Sequence, residues 1–259
     1  NYNLQIDWED LINKLNKNSK ILILVHYFGF PLDLNKTIEF TRKKNLILIE
    51  DNTHGFNGSY QGKTLGTFGD YGVTSPRKHI QLNYGGILYS KKKITDYYSL
   101  NLVYQTTILQ KFKFFVSNNF LRSKLILINI FKKKIHSLVK EYESIIKASK
   151  LDNYSKKIIY NTNWIFLKKN KSKNYQYWKQ FSKKNNLISL IEMDVGDLNP
   201  WAYPILVSSD LEAIKWINWG KKNNVIIFNW PTLHDLVDKD SIAFDLSKRT
   251  ICFSTYIAK

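Results

Sequence analysis

The sequence predicts an alternating α/β protein, with a mostly parallel sheet flanked by helices and a smaller α/β domain after it. Three observations carry this prediction. Two short apolar runs, Ile21–Val25 and 46–49, enclose a helical pattern within about thirty residues, the length of a βαβ unit. A strand, helix and strand pattern returns over 201–228. Nine of the eleven glycines lie between Gly29 and Gly86, which marks that stretch as the place of close turns and of function.

The residues before Ile21 read as a short strand remnant and an amphipathic helix over 8–15. Ile21–Val25 has no polar member, as expected of a strand covered on both faces. Asp33 stands at a helix-cap position before a helix over 34–44, in which Leu34, Ile38 and Thr41 share a face. Arg42, Lys43 and Lys44 crowd its last turn, in favour of the helix dipole. The run 46–49 is the next strand, with Glu50 and Asp51 at its carboxyl end, where ligands of parallel sheets gather. Tyr71–Thr74 reads as a short strand, and 91–150, free of glycine and proline, as one or two long helices. A polar stretch at 168–174 follows. A strand over 201–207, a helix capped by Asp210 and running through Trp219 with Gly220 as its stop, and a strand over 225–228 then make the second domain. The division is 1–150 and 151–259.

Composition limits the function. With 259 residues, 44% hydrophobic and 15% aromatic, the chain can bury roughly 70 to 75% of its unfolded surface, which excludes disorder. The single cysteine, Cys252, rules out an intrachain disulfide and a thiolate metal cluster and fits a reducing compartment, so the cytoplasm is the expected location. Runs such as Ile21–Val25 and 125–131 fall short of the roughly 18 apolar residues that a membrane span needs, and no leader pattern opens the chain. Neither a membrane span nor export is expected. A net charge of +18 suits a polyanion, yet the lysines are spread over the chain, as in Lys132-Lys133-Lys134 and Lys221-Lys222-Asn223-Asn224, which reads as a solvated bias. Aromatics interleave with positives in Lys111-Phe112-Lys113-Phe114-Phe115, a single-strand-binding pattern that a helix with a buried aromatic face would also give. Nucleic acid is the weaker reading.

Within the glycine-dense stretch, five elements occur in a fixed order. Val25-His26-Tyr27-Phe28-Gly29-Phe30-Pro31 follows the first strand, and Glu50-Asp51-x-x-His54 ends the second. Gly62-Lys63-x-x-Gly66-x-x-Gly69-Asp70, then Ser75-Pro76-Arg77-Lys78 and the pair Gly85-Gly86 complete the series. This arrangement resembles the DegT/DnrJ/EryC1/StrS family of sugar aminotransferases, with weaker similarity through 200–207 and Asn229-Trp230-Pro231. The resemblance implies the α/β fold of the fold-type I pyridoxal-phosphate-dependent transferases. It also implies that the family's N-terminal portion, with its phosphate-anchoring turn and a ring-stacking aromatic residue, is not among these residues.

The resemblance further implies roles. Lys78 is the amine that forms a Schiff base with pyridoxal 5'-phosphate, a task for which burial must lower an ordinary pKa of about 10.4. Asp51 faces the pyridine nitrogen, His54 hydrogen-bonds the ring's 3-oxygen, and Ser75 donates to the phosphate, near Arg77. Some relatives carry histidine in place of the lysine and act as dehydratases; here Lys78 is present beside His79, which favours amino transfer. The implied reaction moves an amino group from an amino acid, glutamate by resemblance, to a keto-sugar nucleotide, in a homodimer. Two departures leave the substrate open: a short interval from Asp70 to Lys78, and Tyr84 where an acidic residue is common. The rival readings are an inactive relative with a binding role and a polyanion-binding protein.

Overall fold

The computed structural model describes residues 2–80, 82, 85–93 and 150–256. Tyr84, the segment 111–115 and nearly all of the helices expected over 91–150 lie outside the described residues. The chain forms two compact units. The larger comprises residues 1–79, 86–92 and 163–257, and the other residues 80–85, 93–162 and 258–259.

The larger unit opens with bends and turns where a strand remnant was expected, and then α1 (Trp8–Lys14), capped by Asp7, whose side chain accepts from the Asp10 N–H at 3.1 Å. β1 (Ile21–Val25), α2 (Leu34–Lys43) and β2 (Ile47–Asn52) make the βαβ unit. A small ribbon of β3 (Ser59–Tyr60) and β4 (Lys63–Thr64) precedes β5 (Tyr71–Thr74) and β6 (Ile87–Ser90). The first sheet has the order β1-β2-β5-β6, parallel across its first two pairs and antiparallel at β6. Asp33 starts α2 but does not cap it by its side chain. Its carboxylate accepts instead from the Ile6 N–H at 2.8 Å, a tertiary partner that competes with the local one.

β1 departs from expectation. Leu24 faces the core, together with Leu34 of α2 and Leu48 of β2, whereas Ile21 and Ile23 are exposed. Ile47, Val73 and Leu88 continue that open face. Nothing among the described residues covers it, so the pattern of unbroken apolar residues is buried on one side alone.

In the second unit, the described helix is α3 (Asn153–Asn161), capped by Asp152, which accepts from the Ser155 N–H at 2.7 Å. The larger unit resumes with α4 (Trp164–Lys184), β7 (Ile188–Ser189), β8 (Ala202–Leu206), α5 (Asp210–Lys222), β9 (Ile227–Asn229), α6 (Ile242–Arg249) and β10 (Thr250–Ser254). The second sheet runs β7-β8-β10-β9 and is antiparallel throughout. The polar stretch 168–174 is the interior of α4 and no break: Lys169 and Lys173 lie on its solvated face and mimic a loop in sequence, while Lys171 between them is buried. α5 is capped by Ser209 rather than by the expected Asp210, which is its first helical residue: the Ser209 hydroxyl accepts from the Glu212 N–H at 3.2 Å. Gly220 lies inside α5, where a Cβ would come within 2.7 Å of the Val225 carbonyl oxygen. One apolar core joins both sheets, with Phe28, Phe30, Tyr175, Trp178, Tyr203 and Phe253 as its aromatic members. Each such ring removes on the order of 150–250 Å² from water. Among the described residues no helix is long and apolar enough to cross a membrane.

Candidate active site

Parallel register brings the candidate residues to one edge. Val25 lies opposite Asp51, and Asp51 opposite Val73, so that β1, β2 and β5 end level with one another. The loops leaving them carry His26, His54 and Lys78. Along β2 the pleat divides the work, since successive side chains take opposite faces. Leu48, Glu50 and Asn52 point into the core, and Asp51, partly exposed, takes the other side.

Glu50 is fully buried and ties three segments together. Its Oε2 lies 2.8 Å from Nε2 of the buried His26 and accepts from the Gly66 N–H at 3.2 Å; Oε1 accepts from the Gly69 N–H at 2.5 Å. Burial alone would raise the Glu50 pKa, but the hydrogen bond and charge of His26 and the backbone donors of Gly69 and Phe68 outweigh it and hold the carboxyl below its usual range. Asn52 adds donation to the Leu65 carbonyl at 2.7 Å. The glycine-rich loop is thus fastened to β2 from inside. Gly29, at φ +89°, presses on the next loop: a Cβ there would stand 2.8 Å from the His54 carbonyl oxygen. A Cβ on Gly55 would stand 2.9 Å from the Gly29 Cα, so the two loops meet backbone to backbone.

Asp51 and Lys78 are close enough to act on the ionisation of His54, and Asp51 also acts on that of Lys78. Asp51 Oδ1 accepts from the Thr53 N–H at 3.0 Å. His54 is pushed down to about 4 by burial and then by the Lys78 charge, with Asp51 opposing. The Lys78 amine is likewise lowered, by burial first and by Arg77 next, again against Asp51. At neutral pH His54 is therefore an uncharged imidazole. Its Nδ1 accepts from the Phe28 N–H at 3.3 Å, which leaves the ring proton on Nε2. Tyr27 also feels this carboxylate, its hydroxyl being raised by burial and then by Asp51.

The second sheet supplies an aromatic wall. Trp201, just before β8, stacks on His54 with ring centroids 4.2 Å apart, and Lys78 Nζ sits 4.6 Å from the same indole centroid. Phe228 of β9 lies 5.2 Å from Trp201, and Trp230 4.8 Å from Phe28. The Trp201 N–H donates to the Phe28 carbonyl at 3.0 Å, which joins wall and loop through the backbone.

The structure therefore gathers three of the four expected site residues. Ser75 is buried at the head of the short 3₁₀ turn Pro76–Lys78, and Arg77 is exposed. His79 points elsewhere: it is 1% exposed and its Nδ1 lies 3.0 Å from Lys171 Nζ, so it does not stand in for Lys78. Trp201, Glu50 and Lys171 were not singled out as site residues by sequence reasoning. Only the Glu50–His26 pair had a readable signal, since both flank strand ends of one βαβ unit.

Comparison with known proteins places the sequence and the fold among relatives. Residues 1–119 match the DegT/DnrJ/EryC1/StrS aminotransferase family. The chain is 33% identical over 91 residues to the GDP-perosamine synthase of Escherichia coli O157:H7, a match that spans 34% of this chain and 25% of that protein. Among solved structures, the aminotransferase TlmJ from Streptoalloteichus hindustanus superposes with a TM-score of 0.64 at 16% identity, over 100% of this chain and 67% of that one. The Escherichia coli GDP-4-keto-6-deoxy-D-mannose-3-dehydratase with bound hydrated PLP gives 0.56 at 14% identity, over 98% and 68%. The chain thus spans about a quarter of the curated relative and about two thirds of the solved ones. The structures attest the fold, an α/β fold of the fold-type I kind. The sequence likeness to the DegT/DnrJ/EryC1/StrS aminotransferase family thus lies within residues 1–119, and the solved structures extend a likeness of fold to nearly the whole chain.

Proposed function

We propose that this chain carries the reactive lysine of a pyridoxal-phosphate-dependent aminotransferase that passes an amino group from an amino acid, glutamate, to a keto-sugar nucleotide. The meeting of Asp51, His54 and Lys78 at the ends of β2 and β5 is the observation that supports it most directly. The three groups fit the cofactor by their chemistry: a carboxylate, a neutral imidazole that donates from Nε2, and an amine whose proton is loosened by burial and Arg77.

When bound, pyridoxal phosphate supplies an electron sink for the substrate carbon. Asp51 would keep the ring nitrogen protonated, and His54 would donate to the 3-oxygen. Ser75 and Arg77 would meet the phosphate. Lys78 would attach the cofactor and then hold and return a proton at Nζ, while Trp201 covers that amine. The sugar-nucleotide substrate rests on the name of the perosamine synthase relative. Dehydration is disfavoured by the burial of His79 against Lys171. The proposal includes a homodimer in the cytoplasm, with residues 1–150 as the cofactor-binding part and 151–259 as the smaller domain.

The test is reductive labelling. After incubation with pyridoxal phosphate and treatment with borohydride, peptide mapping should place the label on Lys78, and Lys78→Ala should lose both the label and the visible absorption band. A label on another lysine, or a band that survives in Lys78→Ala, overturns the assignment.

A further inference from the structure

Lys171 lies on the face of α4 that buries Tyr175, Trp178 and Ser182, and is itself only 2% exposed. The spacing places it in the helix's core stripe, where an apolar residue is the default and an unpaired lysine is rare. Among the described residues it has no ion pair. Its Nζ lies 3.0 Å from His79 Nδ1 and 5.4 Å from the Tyr256 ring centroid. His79 is equally enclosed, and its Nε2 has no hydrogen-bond partner among the described residues. Two polar groups are thus held out of water for a single contact. As packing alone, this arrangement is worse than a leucine.

His79 follows Lys78 and closes its turn, its N–H donating to the Pro76 carbonyl at 2.8 Å. Anchoring the His79 ring therefore anchors the last residue of the turn from which Lys78 projects toward Trp201. We propose that Lys171 is a positioning residue for Lys78 that acts through His79, pinning the turn so that the Lys78 amine stays against Trp201 and out of water. The role rests on Lys78 as the reactive amine. Burial brings the Lys171 pKa to about 7, and burial followed by the Lys171 charge lowers His79, so above that pH the pair adds no cation beside Lys78. The groups that face Lys78 are then Asp51 of β2, His54 beyond it, Arg77 of its own turn and the Trp201 ring. His79 in turn faces Lys171, His54 and Lys78.

The experiment is competitive trace acetylation of the cofactor-free chain across pH, with digestion and mass spectrometry to give the titration midpoint of Lys78 against surface lysines. Wild type and Lys171→Gln, which keeps a donor, should share a depressed midpoint. In Lys171→Met and in His79→Phe the midpoint should rise by about one unit, so that Lys78 labels up to about tenfold more slowly below it. The double variant should do no more than either single one, as for residues acting as a unit. A folded Lys171→Met variant, checked by circular dichroism, with an unchanged Lys78 midpoint overturns the proposal. His79→Phe carries the same test if Lys171→Met does not fold. Failure of pyridoxal phosphate to label wild-type Lys78 would sink the proposed function and leave the titration result standing.

Discussion

Phe28 shows how much one backbone angle can decide. At φ +57° and ψ 11° it sits in the left-handed region, at a cost on the order of 1 kcal/mol for a residue with a side chain. That conformation aims its N–H at His54 Nδ1, and the contact selects the tautomer that donates from Nε2. ¹⁵N NMR of the imidazoles should show His54 neutral, with its proton on Nε2, down to about pH 4. A His54 that titrates near 6.5 would contradict it. The sign for stability follows from the lowered value. As pH falls below about 6.5 the unfolded chain takes up the proton first, so His54 withdraws stability between there and about 4. His54 was legible through the family resemblance, as the histidine three positions after Asp51. Its partner was not, because nothing in the type of residue 28 announces a positive φ.

At the scale of elements, β2 and the glycine-rich loop behave as one piece because Glu50 holds both. Glu50→Gln keeps the shape but removes the charge that faces His26, and breaking such a buried pair costs about 3–5 kcal/mol. Urea unfolding should show that loss, and a change well under 1 kcal/mol would mean that the pair contributes nothing. Because its pKa is held below the usual range, the stabilisation from Glu50 is complete above about 4.5 and is lost as pH falls below it. The periodicity of β1, α2 and β2 was readable, since local spacing alone sets it. Asp33 and Gly220 were misread for one common reason. A cap or a stop is a local inference: the distant Ile6 N–H claims the Asp33 carboxylate, and Gly220 serves the close approach of the Val225 carbonyl within a helix that runs two residues further. Lys171 was hidden by its type: it shares a helical stripe with Tyr175 and Trp178, but a lysine within a run of polar residues reads as solvated.

For the whole molecule, the open face of the first sheet is the largest departure from expectation. Ile23 is 63% exposed and Leu88 54%, and β1 ends the sheet with an edge of five apolar residues and no charge or proline to guard it. The 259-residue chain alone should self-associate, and Ile23→Lys with Leu88→Lys should raise the monomer share in sedimentation velocity at equal concentration. Indifference to both substitutions would show that association, if any, uses another surface. Residues 1–79 announced the fold and three of the site residues, whereas the aromatic wall could not be read, because Trp201 and Lys78 meet across 123 positions of sequence. The contact between Gly29 and Gly55 has an evolutionary side. A wall made of main chain offers nothing to exchange, whereas the facing one is made of replaceable rings. Substitution can therefore reshape the wall at Trp201, Phe228 or Trp230, whereas at the two glycines any side chain would collide with main chain.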